Sequence, residues 1–218
     1  MGFDPTQMLL LLPGIIIGLT VHEYAHAKVA DYLGDHTSAY SGRLTLNPLA
    51  HIDLMGFLML MIAGFGWAKP VPINPLRFKG NMRTGVAMVS LAGPIANIIM
   101  AFTGALVYFL SFPESVSAVS PEGIGVQILE KLILINVVLA AFNLIPIPPL
   151  DGSKILASLL PPQAGDVFLQ LERYGPLILI ALIFTGYTSK LLSPLLTILS
   201  SLIFNSAEFI ARAILSIF

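Results

Sequence analysis

The chain has 218 residues, of which 56% are hydrophobic and 11% charged, with a formal net charge of −1. Soluble domains carry about 25% charged residues, so this composition, with a mean hydropathy of +0.87, predicts a multi-pass integral membrane protein in a lipid bilayer and excludes an ordinary soluble fold. Eleven basic residues against twelve acidic ones leave no electrostatic footprint for nucleic acid, and the lack of cysteine excludes disulfides and thiolate metal sites.

The N-terminal stretch MGFDPTQMLLLL lacks the positive leader and small-residue cleavage site of a secretory signal, so the first apolar run is read as a retained span. Crossing the hydrocarbon core takes roughly 20 apolar residues as a helix. The run from about Met8 to Leu33 meets that length, with Gly34 as its stop. Leu54 to Phe65 is apolar but too short to cross, which predicts a re-entrant or interfacial segment. GWAKPVPINPLRF follows, and Pro70, Pro72 and Pro75 forbid a helix there, leaving an edge strand or an extended loop.

Two further spans run from about Val86 to Leu110 and from about Val126 to Ile145. On the former, Gly93, Asn97, Ala101 and Gly104 share a helical face suited to close packing, with Asn97 free to hydrogen-bond a neighbouring helix. After Pro161-Pro162 come a partly amphipathic piece (VFLQLERY), an apolar run from Pro176 to Tyr187 and a last one from Leu191 to Phe218. The last two read equally as full spans or as a broken hairpin. The expected fold is all-α, with about five helical segments in a single domain over 1–218, a core at about 8–160 and C-terminal helices at about 164–218.

Charge sets orientation. Lys28, Arg43, Lys69, Arg77, Lys79 and Arg83 cluster between the first two spans, whereas SFPESVSAVSPEG carries two Glu and no basic residue. The positive-inside rule then puts the first loop in the cytoplasm and the second outside. The first and third spans therefore both end on the cytoplasmic side. Arg77, Lys79 and Arg83 read as an interface with anionic lipid head groups.

Within the first span lies VHEYAHA. His22 and His26, four apart on a helix, point the same way, which is the H-E-x-x-H arrangement of two zinc ligands with Glu23 as general base. Ionisable residues inside a membrane are functional candidates by default. A hydrolytic zinc site needs a third protein ligand and an open fourth position. Asp151, in FNLIPIPPLDGSKIL at the end of the third span, can meet the histidines at similar depth; it is also placed to cap the helix that follows. One Zn²⁺ with Asp151 and Glu23 ionised sums to zero charge, which makes burial of the cluster tolerable.

HEYAHA, NPLAHID, GWAKPVPINP, SLAGPIAN and NLIPIPPLDG, in that order, resemble the site-2 protease family of intramembrane zinc metalloproteases, and more narrowly its short prokaryotic branch without PDZ or CBS domains. The likeness runs from about Leu9 to Leu160. It implies one zinc per chain on His22, His26 and Asp151, Glu23 as the catalytic glutamate, and a membrane-associated β-hairpin around Ala68 to Asn74. It also implies a substrate that is a transmembrane protein or peptide, and a prokaryotic plasma membrane with the active site towards the cytoplasm. Asn143 matches an asparagine that the family places close to the substrate, though a plain helix-end hydrogen bond serves equally for it. Asn74, at the end of the extended stretch, is the second candidate for contact with substrate or oxyanion. His51 reads as a residue supporting a ligand from behind or as a loop residue. His36 has no neighbour suggesting a ligand. Two rival functions are a metal-ion transporter using these residues as a transit site and a catalytically silent scaffold for membrane helices.

Overall fold

The computed structural model describes residues 5–63, 66–113 and 123–217. Its elements are α1 (Pro5–Tyr32), α2 (Thr37–Tyr40), α3 (Leu54–Ala63), α4 (Met82–Ser111), α5 (Ile124–Asn143), α6 (Asp151–Leu159), α7 (Pro162–Gln170), α8 (Gly175–Phe184) and α9 (Tyr187–Leu215). Four of them, α1, α4, α5 and α9, are long and apolar enough to cross a membrane. The expected first three spans are therefore present, each longer than or shifted from its predicted bounds by a few residues. Gly34, at φ +102°, does stop the chain after α1, in a conformation only glycine adopts without strain.

The C-terminal region resolves the ambiguity left by its two apolar runs. Gly186 takes a left-handed conformation (φ +73°) and cuts the run into α8, ten residues long, and α9. At 1.5 Å per residue α8 reaches only about 15 Å, half a membrane, so one span rather than two follows residue 160. The acidic stretch SFPESVSAVSPEG, on which the outside assignment rests, lies mostly outside the described residues.

α4 is the central helix, lying against α1, α5, α6 and α9, while α1 also lies against α5. Its small face is buried as expected: Gly93, Asn97, Ala101, Gly104 and Ala105 all point inward. Small side chains permit close helix approach where no water drives association. Ile133 and Val137 of α5 and Ile203 and Ala207 of α9 complete an apolar core against Ala101 and Ala105.

The expected re-entrant segment and β-hairpin are not found. Leu54–Ala63 is a plain ten-residue helix with Leu54, Met55 and Ile62 exposed, and there is no strand among the described residues. The trace of pairing among the described residues is one antiparallel bridge between Ile52 and Ala68. The prolines explain this. Pro70, Pro72 and Pro75 remove every second or third donor from 68–75, so no ladder can form. Three of the donors that remain are taken by other partners: Lys69 N–H by the His51 carbonyl (2.8 Å), Val71 N–H by Glu23 Oε2 (2.9 Å) and Asn74 N–H by Asp35 Oδ2 (2.6 Å). The segment is extended, as expected, but side chains hold it rather than a partner strand.

Candidate metal centre

α1 projects His22 and His26 from successive turns, both buried, toward α4 and the start of α6. Asp151 opens α6 immediately after the proline-rich turn 146–149, which ends the run of α5 and turns the chain back. The geometry brings these three groups together across 129 residues of sequence. His22 Nε2 lies 3.1 Å from Asp151 Oδ2, His26 Nε2 lies 3.1 Å from the same oxygen, and the two Nε2 atoms are 2.9 Å apart. Asp151 is therefore no mere helix cap; its side chain caps nothing in α6.

Whether this triangle suits a cation is decided by what lies behind the rings. His22 Nδ1 faces Asn97 Oδ1 at 2.7 Å, and His26 Nδ1 faces the Val89 carbonyl at 2.7 Å. Pro94, one turn further along α4, has no N–H to offer the neighbouring Ser90 carbonyl four residues back. Both Nδ1 atoms thus donate, and each neutral ring presents a bare Nε2 lone pair. Three lone-pair atoms meeting at about 3 Å with no proton between them repel; a cation among them reverses the sign. Tetrahedral zinc with bonds of about 2.0–2.1 Å separates its ligand atoms by about 3.3 Å, close to the sides of this triangle. Space is kept for it by α4. A methyl on Gly93 would sit 2.5 Å from His22 Cε1 and His26 Nε2, and 2.6 Å from His22 Nε2. The residues present fit zinc.

His22, Glu23, His26 and Asp151 line one end of a cavity of about 480 Å³. Ile73, Phe78, Val86 and Val89 give it apolar lining, and Asn143, Lys154 and Glu172 border it too. Asn143 donates one amide hydrogen to the Leu139 carbonyl (3.0 Å), the helix-end bond, and still borders the cavity. Asn74 does not border it: its Oδ1 accepts from Leu76 N–H (3.1 Å) and caps the single turn Pro75–Arg77. His51 is buried, with Nε2 donating to the Thr45 carbonyl (2.8 Å), and among the described residues it is not part of the cluster able to hold a metal. His36 pairs with Asp31 at 2.6 Å on the surface.

Four residues not anticipated from sequence shape the site. Asn136 of α5 bonds Asn97 behind His22. Asp35, Ser38 and Arg43 hold the extended segment, Ser38 Oγ donating to the Pro72 carbonyl (2.6 Å) and Arg43 to the Lys69 carbonyl (2.5 Å). Asp35, fully buried, also accepts from the hydroxyl and amide of Thr37. Burial alone would raise its carboxyl, but those hydrogen bonds, that of Asn74 and the charge of Arg77 together hold it below its ordinary range. A short polar loop gives no periodic signal, so these roles could not be read from the chain.

A model described as peptidase family M50 matches residues 117–185. A Bacillus subtilis (strain 168) protein, "Putative zinc metalloprotease YwhC", is 41% identical over 183 residues, 84% of this chain and 83% of that one. The chain belongs to the site-2 protease family, peptidase family M50. "Putative zinc metalloprotease Rip2" of Mycolicibacterium smegmatis is 33% identical over 180 residues, covering 81% of this chain and 67% of its own. More distant is "Zinc metalloprotease MJ0392" of Methanocaldococcus jannaschii, 25% identical over 69% of this chain and 34% of its own. No solved structure matches. The cofactor of this M50 member is zinc, and His22, His26 and Asp151 form a cluster able to hold it.

Proposed function

We propose that this M50 protein is an intramembrane endopeptidase that hydrolyses a peptide bond in or near a transmembrane segment of another membrane protein, with its site towards the cytoplasm of a prokaryotic cell. One observation carries the reading: Glu23, between the two histidines in sequence, opens onto the same cavity as the metal cluster and touches the extended segment that borders it.

Zinc bound by His22, His26 and Asp151 supplies the Lewis acidity that polarises a carbonyl and acidifies a water. Glu23 takes the proton of the attacking water and delivers it to the leaving amine nitrogen. Its carboxylate is held ready by Val71 N–H. Asn143 has a second amide hydrogen for the substrate carbonyl as negative charge develops on it. The apolar wall of Phe78, Val86 and Val89 receives side chains of a hydrophobic substrate and keeps bulk water from the cluster.

A transmembrane substrate is helical, and its amides must lose their helical partners before attack. The extended segment offers replacements. Ser38, Asp35 and Arg43 take main-chain groups of Pro72, Asn74 and Lys69, whereas the Val71 carbonyl and both backbone groups of Ile73 make no protein hydrogen bond among the described residues. Val71 and Ile73 border the cavity, so an unwound substrate can pair there as an added strand.

The test is Glu23→Gln in full-length protein reconstituted with a transmembrane peptide. General acid–base catalysis contributes about 10²–10⁴-fold, so cleavage should fall by at least about 100-fold while bound zinc stays near one per chain. Undiminished cleavage removes the mechanism. Zinc uptake into sealed vesicles, with no cleavage by either protein, favours a transporter.

A further inference from the structure

The polar groups behind the metal cluster run deeper than ligand support requires. Asn97 of α4 and Asn136 of α5 are both 0% exposed, in the middle of helices that cross the membrane. All four polar atoms of their two amides are engaged. Asn136 Nδ2 donates to the Leu132 carbonyl (2.8 Å); Asn136 Oδ1 accepts from Asn97 Nδ2 (2.9 Å); Asn97 Nδ2 also donates to the Gly18 carbonyl (3.0 Å); and Asn97 Oδ1 faces His22 Nδ1 (2.7 Å).

This chain can be read in one direction only. The Leu132 carbonyl can only accept, so Asn136 must turn its NH₂ toward it and its oxygen toward Asn97. Asn97 then faces two acceptors, the Asn136 oxygen and the Gly18 carbonyl, and must present its NH₂ to both. Its own oxygen is left for His22, whose Nδ1 must carry the hydrogen. The two backbone carbonyls, fixed by α5 and α1, thereby dictate which nitrogen of His22 is protonated. The nitrogen left bare is Nε2, the one facing His26 and Asp151.

We propose that Asn97 and Asn136 are positioning residues that act as an amide relay, locking His22 in the Nδ1–H tautomer and so setting the zinc affinity of the site. The inference rests on the reading of His22, His26 and Asp151 as zinc ligands. Packing alone would not ask for this pair. An apolar side chain fills the same volume without the cost of burying four polar groups, whereas a half-satisfied amide in hydrocarbon is worse than none. Gly18 fits the same design. A Cβ there would lie 3.2 Å from Asn136 Oδ1 and 2.8 Å from a Leu139 methyl, so its absence lets α1 come close enough for the Gly18 carbonyl to join the relay.

His26 provides the internal contrast. Its Nδ1 is fixed by one backbone carbonyl, which no side-chain substitution removes. His22 depends on two side chains, so its tautomer is mutable.

The experiment uses full-length protein in detergent and titrates zinc against a chromogenic chelator. Loss of a group that orients a ligating histidine costs about 10–100-fold in metal affinity. Asn97→Leu should fall in that range, and Asn136→Leu, which removes one of the two acceptors that orient the Asn97 amide and does not touch His22, should give a smaller loss. In parallel, the ring ¹⁵N spectrum of the zinc-free protein, with only four histidines to assign, should show His22 protonated on Nδ1 in the wild type and on both nitrogens in exchange in the variants. Wild-type affinity together with a wild-type ring spectrum in Asn97→Leu overturns the relay and leaves the zinc reading standing. If Asn97→Leu does not fold, Asn136→Leu decides by the same two readouts. A wild-type protein that takes up no zinc overturns both.

Discussion

The membrane interior of α1, α4 and α5 and the loop layer that carries the extended segment both hold buried polar groups, but they use them differently. In the interior each amide and imidazole of the relay has a partner on a neighbouring helix, and the helices themselves satisfy the backbone. In the loop layer the backbone is the group in need. Asp35, Ser38 and Arg43 bond to main-chain atoms of Asn74, Pro72 and Lys69, and among the described residues the Val71 carbonyl and both backbone groups of Ile73 are left without a protein partner. The difference separates two requirements of the proposed hydrolysis inside a membrane. A metal site must be rigid to within a few tenths of an ångström, which packed helices provide. A surface for an unwinding helix must offer unpaired backbone, which only irregular structure held from behind can do.

That division can be broken at either end. The largest expected effect is at Gly93, where the added methyl of Gly93→Ala would occupy the space between the two imidazoles. Neither ring can retreat, since each is bonded behind, so zinc binding should fall by more than about 100-fold, beyond the range for loss of an orienting group, and activity with it. Measurement of bound metal after gel filtration checks this; a fully loaded Gly93→Ala protein would show the rings to be mobile. At the other end, Asp35→Ala leaves the N–H groups of Thr37 and Asn74 unpaired, at about 1–3 kcal/mol each if they stay dry. The extended segment should loosen, and cleavage of a transmembrane peptide should fall about tenfold, the equivalent of about 1.4 kcal/mol in transition-state stabilisation. Zinc content should not change. A loss of zinc in Asp35→Ala would mean that the two regions are not separable.

The same contrast explains what could be read from the chain. α1, α4 and α5 were legible because uninterrupted apolar length is the signal for a span, and His22, Glu23 and His26 because four-residue spacing makes a helical pair. For Asp151 the topology, with the first and third spans ending on one side, left both ligand and helix cap open, and the family resemblance favoured the ligand. Asn136 was not singled out, although an amide inside an apolar helix asks for a partner and Asn97 was the obvious candidate. Gly93 was read as a packing residue, because nothing in the sequence distinguishes a glycine that faces a helix from one that faces an imidazole. The β-hairpin was expected where the prolines had removed the donors a ladder needs. Asp35, Ser38 and Arg43 lie in a loop where contacts depend on the folded path and no period exists to reveal them. The single C-terminal span was undecidable until the left-handed Gly186 was seen.

Two smaller effects sharpen the loop side of the comparison. Because Asp35 is held below its unfolded value, its contribution is complete above the ordinary carboxylate range, near pH 4, and is lost as pH falls through its folded value. Thermal melting of the zinc-free protein should therefore be insensitive to Asp35 between pH 5 and 8, taken as about one unit or more above that range. Below about pH 4 the wild type should lose stability faster than Asp35→Asn, whose amide oxygen accepts without titrating. Parallel acid profiles for the two would remove Asp35 as the anchor. The smallest effect belongs to Lys154 and Glu172, which stand 3.6 Å apart at the cavity mouth with both side chains partly in the open. An exposed pair of this kind contributes about 0–1 kcal/mol, so Glu172→Gln should shift the melting point by little and leave zinc untouched. A larger loss would mean that this edge of the cavity is held by charge, as the opposite edge is held by Asp35, and the open side of the site would then be narrower than Val71 and Ile73 alone imply.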